Sequence, residues 1–293
     1  MTTTSPPIGV IVGVDGSSSA RNAVRWAARD AALREVPLTI VAVVPTVVGS
    51  RMMAPMPIAV LDWERESAHR VLDEATEMAK DCTDGSLDVS TVMPAGSAVP
   101  ALTDLSQQAE LLVVGRSGRS AISRTLLGSV SSGALHHAHC PVAVVHDDST
   151  SAVIDDRAPV LVGVDGSQAG DHALEVACRE ASVRGVDLVA VHAWWTPGSL
   201  EIYGLTLDDY SRDLDTWLTE KLAPWQRRYP AITMRHSVVR DQPGGSLVDF
   251  PEPTQLIVVG SHGYGGFTGM LLGSVSHAVV QSARVPVIVA RRH

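Results

Sequence analysis

The chain states its pattern twice. The segment "VIVGVDGSSSARNAVRWAARDAA" (Val10 to Ala32) returns as "VLVGVDGSQAGDHALEVACREAS" (Val160 to Ser182), 150 positions later. A second segment, "VVGRSGRSAISRTLLGSVSS" (Val113 to Ser132), returns as "VVGSHGYGGFTGMLLGSVSH" (Val258 to His277), 145 positions later. Order is kept and spacing nearly so, which predicts a duplicated domain rather than a short-period solenoid. A length of 293 residues agrees with two domains of about 150 residues, each able to bury its own core. The expected boundaries are residues 1–146, a linker at 147–158 within the acidic, aperiodic stretch "HDDSTSAVIDDRAP" (His146 to Pro159), and residues 159–293.

Within each copy, short Val/Ile-rich runs alternate with longer stretches of helical period. That alternation predicts an α/β fold, a parallel sheet with helices on both faces. The expected strands of the first copy are Ile8 to Val14, Leu38 to Val44, Leu87 to Met93, Leu111 to Gly115 and Val142 to Val145. Those of the second begin near Val160, Leu188, Thr233, Leu256 and Val287. After the first strand, Ala20, Ala23, Val24, Ala27, Ala28 and Ala31 recur at intervals of three and four, one apolar helix face. The copies differ in one interval: 19 steps from Gly96 to Gly115 against 15 from Gly245 to Gly260, where "DFPEP" inserts prolines. A helix of the second copy is expected to have lost a turn there.

In an open parallel sheet, ligands bind beyond the carboxyl ends of the strands, where the strand order reverses. Asp15 and Asp165 each follow the first strand of their copy, and Gly115 and Gly260 each end the fourth. If those strands are neighbours, each aspartate faces a glycine loop across the crevice. The loop reads Gly115-x2-Gly118-x9-Gly128-Ser129 and again Gly260-x2-Gly263-x9-Gly273-Ser274. Glycines let backbone amides approach an anion, and a helix opening at the last Gly-Ser offers free N–H groups and the positive end of its dipole. No lysine stands in either loop: arginine outnumbers lysine 21 to 2, and Lys80 and Lys221 lie elsewhere. Because a carboxylate repels phosphate, Asp15 is expected to take ribose hydroxyls or the base end, or to hold a metal ion. Ser129 and Ser274 read as both helix caps and phosphate contacts, and a capping role for Asp15 and Asp165 is the alternative to ligand binding.

These paired motifs, GVDGS after a strand and G-x2-G-x9-G-S before the last helix, are similar to those of the universal stress proteins in their tandem form. The resemblance covers the whole chain apart from the linker. It implies two Rossmann-like, flavodoxin-like domains, each an open five-stranded parallel sheet, holding ATP, with Mg2+ left open. By the same resemblance, base-side contacts map to Asp15 and Val43 in the first copy and to Asp165 and Ala193 in the second. Phosphate contacts map to Gly115, Gly118, Gly128, Ser129 and Val130, and to Gly260, Gly263, Gly273, Ser274 and Val275. It further implies a homodimer through the last strands, "PVAVV" and "PVIVA", and a regulatory protein partner of unknown identity. The first loop alone carries arginines, Arg116, Arg119 and Arg124, so it is expected to hold a triphosphate more tightly.

The net charge of -9 argues against a nucleic-acid partner bound through a general basic surface. Three cysteines without zinc or CxxC spacing read as inert thiols of a reducing compartment, the cytoplasm. The uncharged stretch Val36 to Ser50 is too short and proline-broken to span a bilayer. "HHAH" (His136 to His139) reads as a cationic helix C-terminus rather than a metal site. "MMAPMP" (Met52 to Pro57) reads as a mobile loop over the site, and "HAWW" (His192 to Trp195) as core and loop packing. The chain lacks GxxxxGK[ST], SGGxDS and HxGH motifs, and no nucleophile with a partnered base recurs in both copies. The expected function is therefore an ATP-binding, stress-response regulatory module and not a fast enzyme. The alternatives are a slow Mg-dependent ATPase and a nucleotide-free interaction scaffold.

Overall fold

The computed structural model describes residues 9–45, 58–118, 127–146, 155–194, 206–263 and 272–291. Arg119, Arg124, Met52 to Pro57, Trp195 and most of the linker lie outside these residues. The chain divides into two compact units between Thr150 and Ser151.

The first unit contains β1 (Gly9–Gly13), α1 (Ser18–Arg34), β2 (Leu38–Val41), α2 (Ile58–Asp81), β3 (Val89–Val92), α3 (Ala98–Ser106), β4 (Ala109–Gly115), α4 (Ser129–His137) and β5 (Val142–Val145). Its strands lie in the order β3-β2-β1-β4-β5 and all pair in parallel, with Val10 beside Leu38 and Ile11 beside Leu112. Strands covered on both faces have no polar side to present, which is why Val10, Ile11 and Val12 form an unbroken apolar run without solvent exposure. Helices α1 and α2 pack against one another, as do α3 and α4, so the sheet is covered by two helical layers. The alanine face foreseen on α1 is buried throughout. Small side chains let that helix lie close to the sheet.

The second unit repeats the plan with β6 (Val160–Gly163), α5 (Gln168–Arg184), β7 (Leu188–Ala193), α6 (Leu207–Arg228), β8 (Met234–Val239), α7 (Pro243–Val248), β9 (Leu256–Gly260), α8 (Ser274–Ser282) and β10 (Val287–Ala290). Its parallel strands run β8-β7-β6-β9-β10. Helix α7 has six residues where α3 has nine, the lost turn expected before the two prolines of "DFPEP". Strand β2 stops at Val41 rather than Val44; beyond it Val44 makes a single bridge to Ala95. Strand β4 starts two residues early, at Ala109. No helix among the described residues is long and apolar enough to cross a membrane.

In both units the chain leaves the first strand toward one side, builds two strands there, and crosses back to place the fourth strand on the first strand's other side. The switch point therefore lies between β1 and β4, and between β6 and β9.

Candidate functional site

At the switch point of the first unit, Asp15 lies two residues beyond the end of β1. Its Oδ1 accepts from the backbone N–H of Ser17 at 3.0 Å, which orients the carboxylate as the chain turns into α1. Ser17, and not the aspartate, caps α1 by accepting from Ala20 N–H at 3.1 Å. Across the crevice, a Cβ on Gly118 would lie 2.7 Å from Asp15 Oδ2. The second unit repeats the arrangement: Asp165 Oδ1 accepts from Ser167 N–H and O–H, and a Cβ on Gly263 would lie 2.7 Å from Asp165 Oδ2. Aspartate and glycine loop do face one another, so closely that a side chain at either glycine would have to displace the carboxylate.

The last glycine begins the helix. Gly128 and Gly273 are the N-caps of α4 and α8, which corrects the capping role expected of Ser129 and Ser274; these serines are the first helical residues. A glycine cap has no side chain to accept from the first turn. Among the described residues, the amides of Ser129, Val130 and Ser131 find no acceptor. A helix with free N–H groups at its positive end is suited to an anion.

These features surround a cavity of about 580 Å³, within the range of small-molecule sites. Gly118, Gly128, Ser129 and Val130 line it together with the apolar Val41, Val43, Ala68 and Val71 and with Asp15, which follows β1. Every first-copy residue proposed for the site lines this cavity except Arg116. That residue contributes its backbone: its carbonyl accepts from Gly128 N–H at 2.8 Å and its N–H donates to Val145, while its buried Nε has no partner. The reason for Gly115 also differs from the expected one. A Cβ there would strike the backbone of Ser19 at 2.7 to 2.8 Å, so its glycine is demanded by the packing of α1, as that of Gly260 is by Ala169 of α5.

Four polar lining residues were not foreseen from the sequence: Glu64 and Ser67 on α2, Ser117 in the glycine loop, and Ser131 on α4. Ser131 was visible in principle, since "GSVS" stands in both copies; α2 lies outside the matched segments and carried no signal. The described lining contains two carboxylates, Asp15 and Glu64, and no cationic side chain. An anionic group placed here is favoured only against the α4 amides.

In the second unit, Asp165, Gly260, Gly263, Gly273, Ser274 and Val275 take the same places relative to β6, β9 and α8, and Ala193 ends β7. His192 reaches the carbonyl of Val164 through Nδ1 at 2.7 Å and meets Trp217 edge-on, with ring centroids 5.0 Å apart. Trp194 is buried against Tyr210. "HAW" is therefore packing, as expected of it. Among the described residues no group of three or more His, Cys, Asp or Glu side chains could hold a metal ion.

The family model described as "Universal stress protein family" matches residues 9–146 and again 157–291. A universal stress protein of Mycobacterium tuberculosis is 45% identical over 293 residues, covering 99% of each chain. Another from the same species is 46% identical over 288 residues, covering 97% of each. Among solved structures, a universal stress protein of Archaeoglobus fulgidus superimposes with a TM-score of 0.71 at 23% identity, covering 97% of this chain and 96% of that one.

Proposed function

The chain belongs to the universal stress protein family, and from that premise we propose that it binds ATP at the switch point of each unit and acts as a nucleotide-dependent regulatory module. The observation that carries the reading is the row of unclaimed amides at the start of α4, in a cavity lined also by the apolar Val41, Val43, Ala68 and Val71. Phosphate oxygens lie against Gly118, Gly128, Ser129 and Val130, and the base against Val41, Val43 and Val71. Asp15, beside Gly118, meets the ribose hydroxyls. Repulsion from Asp15 and Glu64 is offset when the triphosphate arrives with a divalent cation, and the aspartate's position suits it to water molecules on such an ion.

Binding to the native state alone stabilises it by RT ln(1 + [L]/Kd), on the order of 2.7 kcal/mol at a hundredfold excess. Occupancy then reports nucleotide supply to a protein partner in the cytoplasm. Homodimerisation through the last strands belongs to the same reading. A slow Mg-dependent ATPase is the second reading, supported by the two carboxylates, Asp15 and Glu64, in the cavity lining, either of which could orient a water.

The first experiment is to denature freshly purified protein and chromatograph the released nucleotide per chain. About two ATP per chain support both sites. One supports unequal units, and none, with added ATP also failing to bind, removes the nucleotide reading in favour of an interaction scaffold. Multiple turnover with ATP and Mg2+ separates module from enzyme: a module releases phosphate far below about 10 per second.

A further inference from the structure

In both units an equivalent serine ties the start of the glycine loop to the first turn of the following helix. Ser131, third residue of α4 and 2% exposed, turns its hydroxyl back across the loop and donates to the carbonyl of Arg116 at 2.8 Å. That carbonyl also accepts from Gly128 N–H at 2.8 Å, so the first residue after β4 is pinned to the start of the helix by two bonds. In the second unit Ser276, 3% exposed, donates to Gly260 O at 2.7 Å, while Gly273 N–H donates to Ser261 O at 2.7 Å. The tie explains the third glycine of the motif. A Cβ on Gly128 would lie 3.2 Å from Ser131 Oγ and 3.3 Å from Arg116 O, crowding both partners of the bond.

We propose that Ser131 and Ser276 are positioning residues for the phosphate end of the ligand: their hydroxyls hold the ends of the loop together, so that the free amides of the helix and the glycine of the loop face one point. The proposal rests on the nucleotide reading above. Neither serine needs to touch the ligand. Its effect is preorganisation, the described ends of the loop being held in place before binding instead of at its expense. The consequence is selective, because the tie joins the end of β4 to the start of α4, whereas Val41, Val43 and Val71, which take the base, stand on or just after β2 and on α2.

The test uses the full chain and the double variant Ser131→Ala/Ser276→Ala, with Ser131→Thr/Ser276→Thr as the hydroxyl-retaining control. ATP and adenosine affinities are measured by calorimetry, and hydrogen exchange at residues 116–118, 127–131, 261–263 and 272–276 without ligand. Loss of one such bond predicts ATP affinity about tenfold weaker, adenosine affinity unchanged, and faster loop exchange, all restored in the threonine variant. Unchanged ATP affinity overturns the proposal. So does an equal fall for ATP and adenosine, which would make the serines general supports of the cavity. If the native protein binds no ATP, the nucleotide reading fails and the positioning role with it; the exchange data then still report whether the tie orders the loop.

Discussion

A carbon atom added at Gly118 would crowd Asp15 Oδ2, whereas one added at Gly115 would strike the backbone of α1. Two glycines of one motif are glycine for different reasons, one facing the crevice and one the helix layer. The cysteines show the same dependence on surroundings. Cys178 is fully buried, and burial pushes its thiol up to about 12, against a smaller opposing pull from Arg228. The folded state thus holds this proton more tightly than the unfolded chain, whose thiol titrates near 9.0. Its contribution to stability is full below that value and is lost as pH rises toward about 12. Urea titrations should show a decline over that window which Cys178→Ala removes; identical alkaline profiles would refute it. At about pH 8, iodoacetamide should label half-exposed Cys82 and spare Cys178, as read by peptide mass mapping.

At the scale of elements, the duplication supplies internal controls. Helices α1 and α5 each end in a left-handed residue whose N–H bonds back into the last turn, but the residue is Glu35 in one (φ 56°) and Gly185 in the other (φ 64°). A side chain is strained in that region and glycine is not. Glu35→Gly is expected to stabilise the protein by roughly 0.5 to 1 kcal/mol and Gly185→Ala to destabilise it by about 1 kcal/mol. Opposite shifts in the urea midpoint would bear this out, and shifts of the same sign would count against it. Buried ion pairs recur likewise, Asp30 with Arg34 in α1 and Glu180 with Arg184 in α5, each spaced one helical turn apart. Where the copies diverge, at α3 and α7, the prolines after α7 account for the shortening.

At the scale of the molecule, each unit carries a complete five-stranded sheet, two helical layers and its own buried aliphatic core. A chain ended after Thr150 is therefore expected to fold cooperatively without the second unit. Far-ultraviolet circular dichroism during urea denaturation decides it: a single sigmoidal transition is the expected result, and a featureless slope would show that the first unit depends on the rest of the chain.

The duplicated plan, the strand positions, the alanine face of α1 and the opposition of aspartate and glycine loop were legible in the residues. These are local matters of periodicity, breaker residues and spacing, and the repeat states each of them twice. Tertiary structure alone decided that Gly128 and not Ser129 caps α4, that Arg116 contributes its carbonyl, that Gly115 yields to Ser19, and that Glu64 and Ser67 enter the cavity. Each depends on which way a group faces once distant segments meet. The Ser131 tie spans 15 residues, and the contact of Ser117 with Ser19 spans 98. Spacing along the chain encodes where a strand ends, but the direction of a side chain beyond that end is set by the partners that folding brings to it.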